Sequence, residues 1–127
     1  KEKGDPMAQF DVTSLKFDTE GLIPAIAQDS ESGEILMMAW MNKDAVQQTI
    51  KTGKVTYWSR SRGELWVKGL TSGNTQQLVS FRFDCDRDCL LLKIVQKGPA
   101  CHTHRQSCFY TEVRDNGEIE LMSPVDK

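Results

Sequence analysis

Short runs of apolar residues separated by turn-forming residues recur along the chain, which is typical of β-strands. On this pattern we predict two hairpins and three further strands: 21–28 with 34–40, 55–59 with 64–68, and then 77–83, 90–96 and 119–122. One segment has helical spacing instead. Asn42 is a good N-cap and Gly53 suits a C-terminal stop, and between them the apolar face repeats at Ala45, Val46, Thr49 and Ile50.

The balance of these elements predicts an α+β, β-dominated fold. We expect one small domain over residues 1–127, built of antiparallel hairpins with one or two helices. The polar residues at the start of the chain are predicted to form a disordered leader over 1–9.

Charge and hydropathy exclude several classes of protein. The chain has 127 residues and a formal net charge of −2, which argues against a protein that coats nucleic acid by neutralising its phosphates. Its apolar runs are much shorter than the roughly 18 residues of a membrane span, and the N-terminus lacks the apolar core of a secretory signal. We therefore expect a cytoplasmic protein with no nucleic-acid or membrane partner.

The four cysteines fall within one short stretch of the C-terminal half: Cys85, Cys89, Cys101 and Cys108. Disulfide frameworks usually spread their bridges along a chain, so this clustering favours a metal site or catalysis. We interpret Cys89 as a small buried hydrophobic residue and the other three as candidate ligands.

The segment 84–89 concentrates acidic side chains among these thiols. On a strand, alternation would gather three carboxylates on one face: Asp84, Asp86 and Asp88. The other face would continue the apolar positions Val79, Phe81 and Phe83 and would place Cys85 at the edge of the core. Converging carboxylates suit a hard cation such as Mg²⁺, although a solvated acidic strand is an equal alternative. An EF-hand is excluded, because its required glycine and glutamate are missing.

The segment 101–108 follows a Gly-Pro turn and holds two thiols and two imidazoles, which suit Zn²⁺. With Cys85 added, three thiols would leave the fourth coordination position for water, which is the catalytic pattern. The spacing matches neither a zinc ribbon nor the signature of the zinc-dependent base deaminases.

A local excess of basic residues occurs over 51–68, where five Lys or Arg face the single acid Glu64. This excess fits a cradle for phosphate groups, although a solvated hairpin is the simpler alternative. Tryptophans lie more often in a core or an interface than at a binding site. The candidate substrate-binding residues are Trp58, Ser59, Arg60, Arg62, Lys68, Thr71, Ser72, Gly73 and Asn74.

Five blocks between about Gly21 and Tyr110 resemble the phosphoribosyl-AMP cyclohydrolase family and occur in its order. They are MAWMN at 38–42, YWSRSRGELW at 57–66, KGLTSGN at 68–74, DCDRD at 84–88, and the Cys-His and Ser-Cys-Phe elements within 101–109. Two positions depart from the family's pattern. Leu70 stands where Glu is usual, and His104 stands where Gly is usual.

The resemblance implies an intertwined homodimer with two kinds of metal site. Mg²⁺ would bind Asp84, Asp86 and Asp88, and Zn²⁺ would bind Cys101 and Cys108 together with Cys85 of the partner subunit. The implied activity is zinc-dependent hydrolysis of the N1–C6 bond in the adenine ring of 1-(5-phosphoribosyl)-AMP, the third step of histidine biosynthesis.

His102, beside a zinc ligand, is our candidate for catalytic proton transfer. The alternative function is a non-catalytic binding module in which zinc staples the dimer. In that case a fourth protein ligand, such as His102 or His104, would close the site.

Overall fold

The computed structural model describes residues 9–115 and 117–125, so the predicted leader, except Gln9, lies outside the described residues. A short 3-10 helix at Val12–Ser14 precedes the main elements. These are β1 (Ile23–Asp29), β2 (Ile35–Met41), α1 (Lys43–Thr52), β3 (Thr56–Ser59), β4 (Glu64–Val67), β5 (Gln76–Phe83), β6 (Leu90–Gln96), β7 (Thr111–Arg114) and β8 (Gly117–Glu120).

Helix α1 begins and ends at the residues that the sequence predicts. The Asn42 side chain accepts a hydrogen bond from the backbone N–H of Ala45 at 2.8 Å. Gly53 ends the helix in the left-handed conformation, with φ of 77°, and its N–H donates to the carbonyl of Thr49. Ala45, Val46 and Thr49 are buried, so one face of the helix packs on the core.

Six strands form one mixed sheet in the order β4-β3-β2-β1-β6-β5. The predicted β-dominated α+β fold is confirmed, and both predicted hairpins, β1–β2 and β3–β4, are present. The sheet departs from a set of antiparallel hairpins at one place, because β1 and β6 are parallel neighbours. A parallel pair needs a long crossover, and local sequence patterns do not reveal which distant strand returns to β1.

The sheet curls until its β5 edge meets the chain that leads into β3. The N–H of Val55 donates to the carbonyl of Gln76 at 3.1 Å, and the N–H of Leu78 donates to the carbonyl of Gly53 at 2.8 Å. This closure joins residues 53–55 to residues 76–78, which are far apart in the sheet order.

The core lies inside the curl and includes the fully buried Tyr57. The Tyr57 hydroxyl donates to Gln76 Oε1 at 2.7 Å, and Gln76 Nε2 donates to Gln96 Oε1 at 2.9 Å. These bonds satisfy the buried amide of Gln76, whose unpaired groups would otherwise cost about 1–3 kcal/mol. The network therefore fixes β3 against β5 and β6.

Strand β5 contradicts the predicted core face of Val79, Phe81 and Phe83. Val79 is the extra residue of a β-bulge between Leu78 and Ser80, and 52% of its surface is exposed. A bulge breaks the alternation of side chains, so Val79 does not lie on the face that Phe81 presents to the core. Only Phe81 packs, half-buried, against the core.

Strands β7 and β8 form a separate two-stranded sheet. The predicted strand at 119–122 is present as β8, which runs from Gly117 to Glu120. Strand β7 is not among the predicted strands, and the residues of both strands are all exposed. Within the described residues, no helix has the length and apolar character required to span a membrane.

Candidate metal and substrate site

The three aspartates converge on a turn, and the expectation that they lie on a strand is wrong. Strand β5 ends at Phe83, and residues 84–89 turn the chain into β6. The Asp84 N–H donates to the Cys89 carbonyl at 3.0 Å, and the Asp88 N–H donates to Asp84 Oδ1 at 3.0 Å. One carboxylate oxygen from each of Asp84, Asp86 and Asp88 lies within 4.8 Å of the others.

The exposed carboxylates of this turn lie close enough to shift one another's pKa. For Asp84, desolvation acts to raise the pKa, but hydrogen bonds from Asp88 and from backbone N–H groups outweigh it and lower the pKa. For Asp88, the hydrogen bond with Asp84, desolvation and the neighbouring negative charges raise the pKa. Exposed, mutually repelling oxygens are the donor type and arrangement that a hard divalent cation stabilises.

The same turn determines where the two nearby cysteines lie. Cys85 is exposed at the turn and does not begin a core face. Cys89 is half-buried, and burial is the main cause of the raised pKa of its thiol.

A pair of neighbouring thiols, Cys101 and Cys108, forms the second cluster, and each influences the pKa of the other. Desolvation acts to raise the pKa of Cys101, but hydrogen bonds from Thr103, including one from its hydroxyl at 3.1 Å, lower it overall. Desolvation by the surrounding protein atoms and the neighbouring Cys101 raise the pKa of the Cys108 thiol to about 11, although part of the Cys108 residue is exposed. The pair is therefore asymmetric, with Cys101 the more easily ionised thiol.

Backbone contacts fasten the thiol loop to β2. The Cys108 N–H donates to the Leu36 carbonyl at 2.7 Å, and the buried Ser107 hydroxyl donates to the Ile35 carbonyl at 2.7 Å. Within the loop, the Ala100 N–H donates to the Gln106 carbonyl at 3.2 Å. The thiols thus sit on a loop that is fixed to the first residues of β2.

Neither histidine of this loop completes a metal-ligand set with the thiols. Among the described residues, the aspartates form the only group of three or more potential ligands within reach of one another. His102 is exposed and His104 is half-buried. Within the part of one chain that the structure describes, the thiol pair therefore lacks a third close ligand.

Lys68 lies beside the thiol pair, away from the basic hairpin loop. Its Nζ donates to the Ala100 carbonyl at 2.7 Å and lies 5.9 Å from the centre of the Trp66 ring. Burial lowers the pKa of the Lys68 ammonium, while the charges of Cys108 and Cys101 act in the opposite direction. Lys68 therefore connects the thiol loop to the cavity beside β4.

That cavity has a volume of about 590 Å³, which is within the usual range for small-molecule sites. Four of the predicted substrate-binding residues line it: Arg62, Lys68, Thr71 and Ser72. Arg62 also forms an ion pair with Glu64 at 3.3 Å, and Leu70, which is 76% exposed, lies at the rim.

The other predicted substrate-binding residues do not line the cavity. Trp58 pairs with Trp40 across β2 and β3, so their side chains share a sheet face, and the Arg60 guanidinium lies 4.7 Å from the Trp40 ring centre. Ser59 accepts a hydrogen bond from the Arg62 N–H within the hairpin loop. Gly73 and Asn74 belong to the turn that follows the cavity wall.

Trp66 is a cavity residue that sequence reasoning did not select. It pairs with Tyr57 across the β3–β4 hairpin, and the two ring centres are 5.1 Å apart. A tight hairpin between 55–59 and 64–68 is the signal that could have paired Trp66 with Tyr57, but the sequence does not show that this face borders a cavity.

Comparison with known proteins identifies the family. The family model described as phosphoribosyl-AMP cyclohydrolase matches residues 37–110. The chain belongs to the phosphoribosyl-AMP cyclohydrolase family. Relatives with that name include a Dinoroseobacter shibae protein, 63% identical over 92% of this chain and 98% of its own length. A Ruegeria pomeroyi relative is 64% identical over 91% of this chain and 98% of its own length. A Paracoccus denitrificans relative is 64% identical over 91% of this chain and 95% of its own length.

His104, one of the two departures from the usual pattern of the phosphoribosyl-AMP cyclohydrolase family, has a φ of 69°. This left-handed conformation costs a non-glycine residue about 1–2 kcal/mol, which explains why glycine suits the position. We expect His104→Gly to raise the free energy of unfolding by about 0.5–1 kcal/mol, because relief of strain exceeds the entropy that glycine adds to the unfolded chain.

Urea denaturation followed by tryptophan fluorescence measures this change. His102→Gly is the matched control, since His102 lies in the same loop without a positive φ, and it is expected to lower stability. Equal destabilisation by both substitutions would contradict the assignment of strain to His104.

Proposed function

We propose that this chain is a zinc-dependent hydrolase that opens the adenine ring of 1-(5-phosphoribosyl)-AMP at the N1–C6 bond, the third step of histidine biosynthesis. The observation that carries the proposal is the thiol pair Cys101–Cys108, which adjoins a cavity through Lys68. The names of the relatives, which match nearly the whole chain, also support the cyclohydrolase activity.

The chemistry of the thiol loop fits zinc. Thiolate ligands suit Zn²⁺, and Thr103 favours the ionised form of Cys101 by hydrogen bonding to its sulfur. The four cysteines are free thiols, a state maintained in the reducing cytoplasm, where we place the enzyme. The family resemblance implies that the third zinc ligand is Cys85 of the partner subunit, and we adopt this assignment; it agrees with the absence of Cys85 of the same chain from the pair.

A homodimer also accounts for the apolar sheet face opposite the core. Ile26 pairs with Met38 on β2 and with Leu91 on β6, so these side chains share one face, where Met38 is 43% exposed. Trp40 and Trp58 extend this face. A second copy of the chain that covers this face would bury its apolar surface. The proposed zinc site further requires that the exposed Cys85 of one subunit reach the thiol loop of the other.

The acidic turn fits Mg²⁺, because its exposed oxygens suit a cation that keeps several waters. We assign Asp84, Asp86 and Asp88 to this cation. The two phosphates of the substrate require positive charge, which Mg²⁺ and Arg62 and Lys68 in the cavity would supply. Thr71 and Ser72 add hydroxyl donors on the same wall. Arg60 would meet substrate only at the dimer face, because it lies over Trp40.

Opening the ring requires that water add at C6, that the N1–C6 bond break, and that a proton reach N1. When bound, zinc lowers the pKa of a coordinated water towards neutrality and so supplies the nucleophile. His102, exposed next to Cys101, would carry the proton. The ring of Trp66 offers the adenine a flat apolar wall, and Lys68 holds the thiol loop against that wall through the Ala100 carbonyl.

The second candidate function is a binding module whose zinc serves only to staple the dimer. It would need a fourth protein ligand, and neither His102 nor His104 joins the thiol cluster in one chain. The two functions differ in the expected behaviour of Cys85→Ala. A structural staple predicts an unfolded variant, whereas a catalytic site predicts a folded, inactive one.

The direct test follows the ultraviolet absorbance of phosphoribosyl-AMP. We expect metal-stripped protein to be inactive and added Zn²⁺ to restore turnover in the presence of Mg²⁺, while Mg²⁺ alone restores none. Full turnover by protein shown to be metal-free would overturn the proposed zinc chemistry.

A further inference from the structure

Arg87 lies within the acidic turn, yet its side chain is engaged elsewhere. Its Nε donates to the Ser14 carbonyl at 3.0 Å and its Nη2 donates to the Ser14 hydroxyl at 2.7 Å. The guanidinium carbon lies 4.2 Å from the centre of the Phe83 ring. The Arg87 carbonyl in turn accepts from the Lys16 N–H at 2.8 Å. These contacts fasten the turn to segment 14–16.

The backbone of Arg87 is held in an uncommon conformation. Its φ is 64°, a left-handed value that persists in a non-glycine residue only when its surroundings fix it. In this conformation the Arg87 N–H donates to the Asp84 carbonyl at 3.0 Å. The next residue, Asp88, donates its N–H to the Asp84 carboxylate. The conformation of Arg87 therefore determines how the aspartates converge.

The segment that holds Arg87 is itself anchored to the core. Val12 and Leu15 are buried, and Asp11 caps the 3-10 helix by accepting a hydrogen bond from the Thr13 N–H. The Phe10 ring stacks on Phe83, with ring centres 5.8 Å apart. The support for the turn is thus a packed part of the fold.

The geometry points to Arg87 as a positioning residue for the divalent cation. Because the Arg87 side chain is bound to Ser14, Arg87 keeps the three aspartates close together, and its charge is directed to Ser14 and Phe83 and away from the cation. This inference rests on the proposed cation site at the acidic turn. Charge alone predicts the opposite effect. Removal of a cationic side chain beside the site would strengthen cation binding, whereas loss of positioning weakens it.

The test measures the affinity of the full-length protein for Mn²⁺, whose free ion gives a distinctive EPR signal. We expect Arg87→Gln to weaken Mn²⁺ binding by about tenfold or more, as loss of an outer partner of a metal ligand typically does. Arg87→Lys should recover part of the affinity, because lysine keeps a donor for the Ser14 carbonyl. Ser14→Ala, which removes one of two acceptors, should weaken binding less.

The matched control is Arg82→Gln, which removes the same charge from an exposed position of β5 two residues before Asp84. The affinity of Arg82→Gln for Mn²⁺ should stay unchanged or rise slightly. Asp86→Asn locates the ion, because it should weaken binding strongly. Circular dichroism checks that each variant folds. If Arg87→Gln does not fold, the Mn²⁺ affinity of Ser14→Ala provides the test instead.

Two results would be adverse, and they are distinguishable. If Asp86→Asn binds Mn²⁺ as the parent does, the proposed cation site is wrong and the inference fails with it. If Asp86→Asn weakens binding but Arg87→Gln and Ser14→Ala bind as tightly as the parent, the cation site stands and the role of Arg87 is overturned.

Discussion

Cys101→Ser is expected to reduce the hydrolysis of phosphoribosyl-AMP by on the order of a thousandfold or more, because the activation of water depends on the bound zinc. Cys101 is the more easily ionised thiol of the pair and the one supported by Thr103. A serine hydroxyl keeps the size of the side chain but is a poor zinc ligand. We therefore expect the variant to lose zinc and activity together.

Cys89→Ser is the matched control, since Cys89 is a half-buried thiol outside the pair. It should keep both its zinc content and its turnover. Metal analysis and far-UV circular dichroism accompany the assay, so that loss of zinc is separated from loss of fold. A Cys101→Ser protein with normal activity would contradict the assignment of the thiol pair to the reaction.

Gly69→Ala is expected to lower the free energy of unfolding by about 3–5 kcal/mol, through strain and overpacking together. Gly69 has a φ of 81°, and a Cβ there would lie closer than 3.0 Å to backbone atoms of Asn74 and Thr75. Backbone cannot move aside as a flexible side chain does, so the loop that carries Thr71 and Ser72 must shift. The cavity wall would be displaced with it.

Gly73→Ala separates the two causes. Gly73 lies in the same loop with a φ of 86°, but a Cβ there meets nothing within 4 Å. Only strain applies, so we expect a loss of about 1–2 kcal/mol. Urea denaturation followed by tryptophan fluorescence measures both variants. Recovery of Gly69→Ala only as insoluble protein agrees with the expectation, whereas equal losses in the two variants would contradict the close contact.

Helix α1 and the hairpins β1–β2 and β3–β4 could be predicted because their signals are local. The side chain of Asn42 and the left-handed conformation of Gly53 act within one turn of the residues they cap. The turn at 84–89 could not be predicted in the same way. In the sequence, apolar and polar residues alternate up to Phe83 and beyond, as in a strand. The chain nevertheless leaves the strand after Phe83, because the hydrogen bonds Asp84–Cys89 and Asp84–Asp88 close a turn.

The candidate site shows the same division at the level of single residues. The sequence identified the aspartates and thiols by their donor chemistry, and the structure brings the three carboxylates together and places Cys101 beside Cys108. It did not indicate that Lys68 lies at the thiol loop or that Trp66 lines the cavity. Lys68 reaches Ala100 across 32 positions of sequence, a distance over which no local pattern operates.

The sequence by itself determined the type and order of most elements, the ligand chemistry and the family blocks, because these depend on neighbouring residues and on the identity of side chains. The tertiary structure alone decided the parallel β1–β6 pair, the bulge at Val79 and the closing of the sheet between 53–55 and 76–78. It also placed Arg60 over Trp40 and Arg62 at the cavity, although the two residues belong to the same hairpin loop. These features arise from contacts between distant segments, whose geometry depends on the packing of the whole chain.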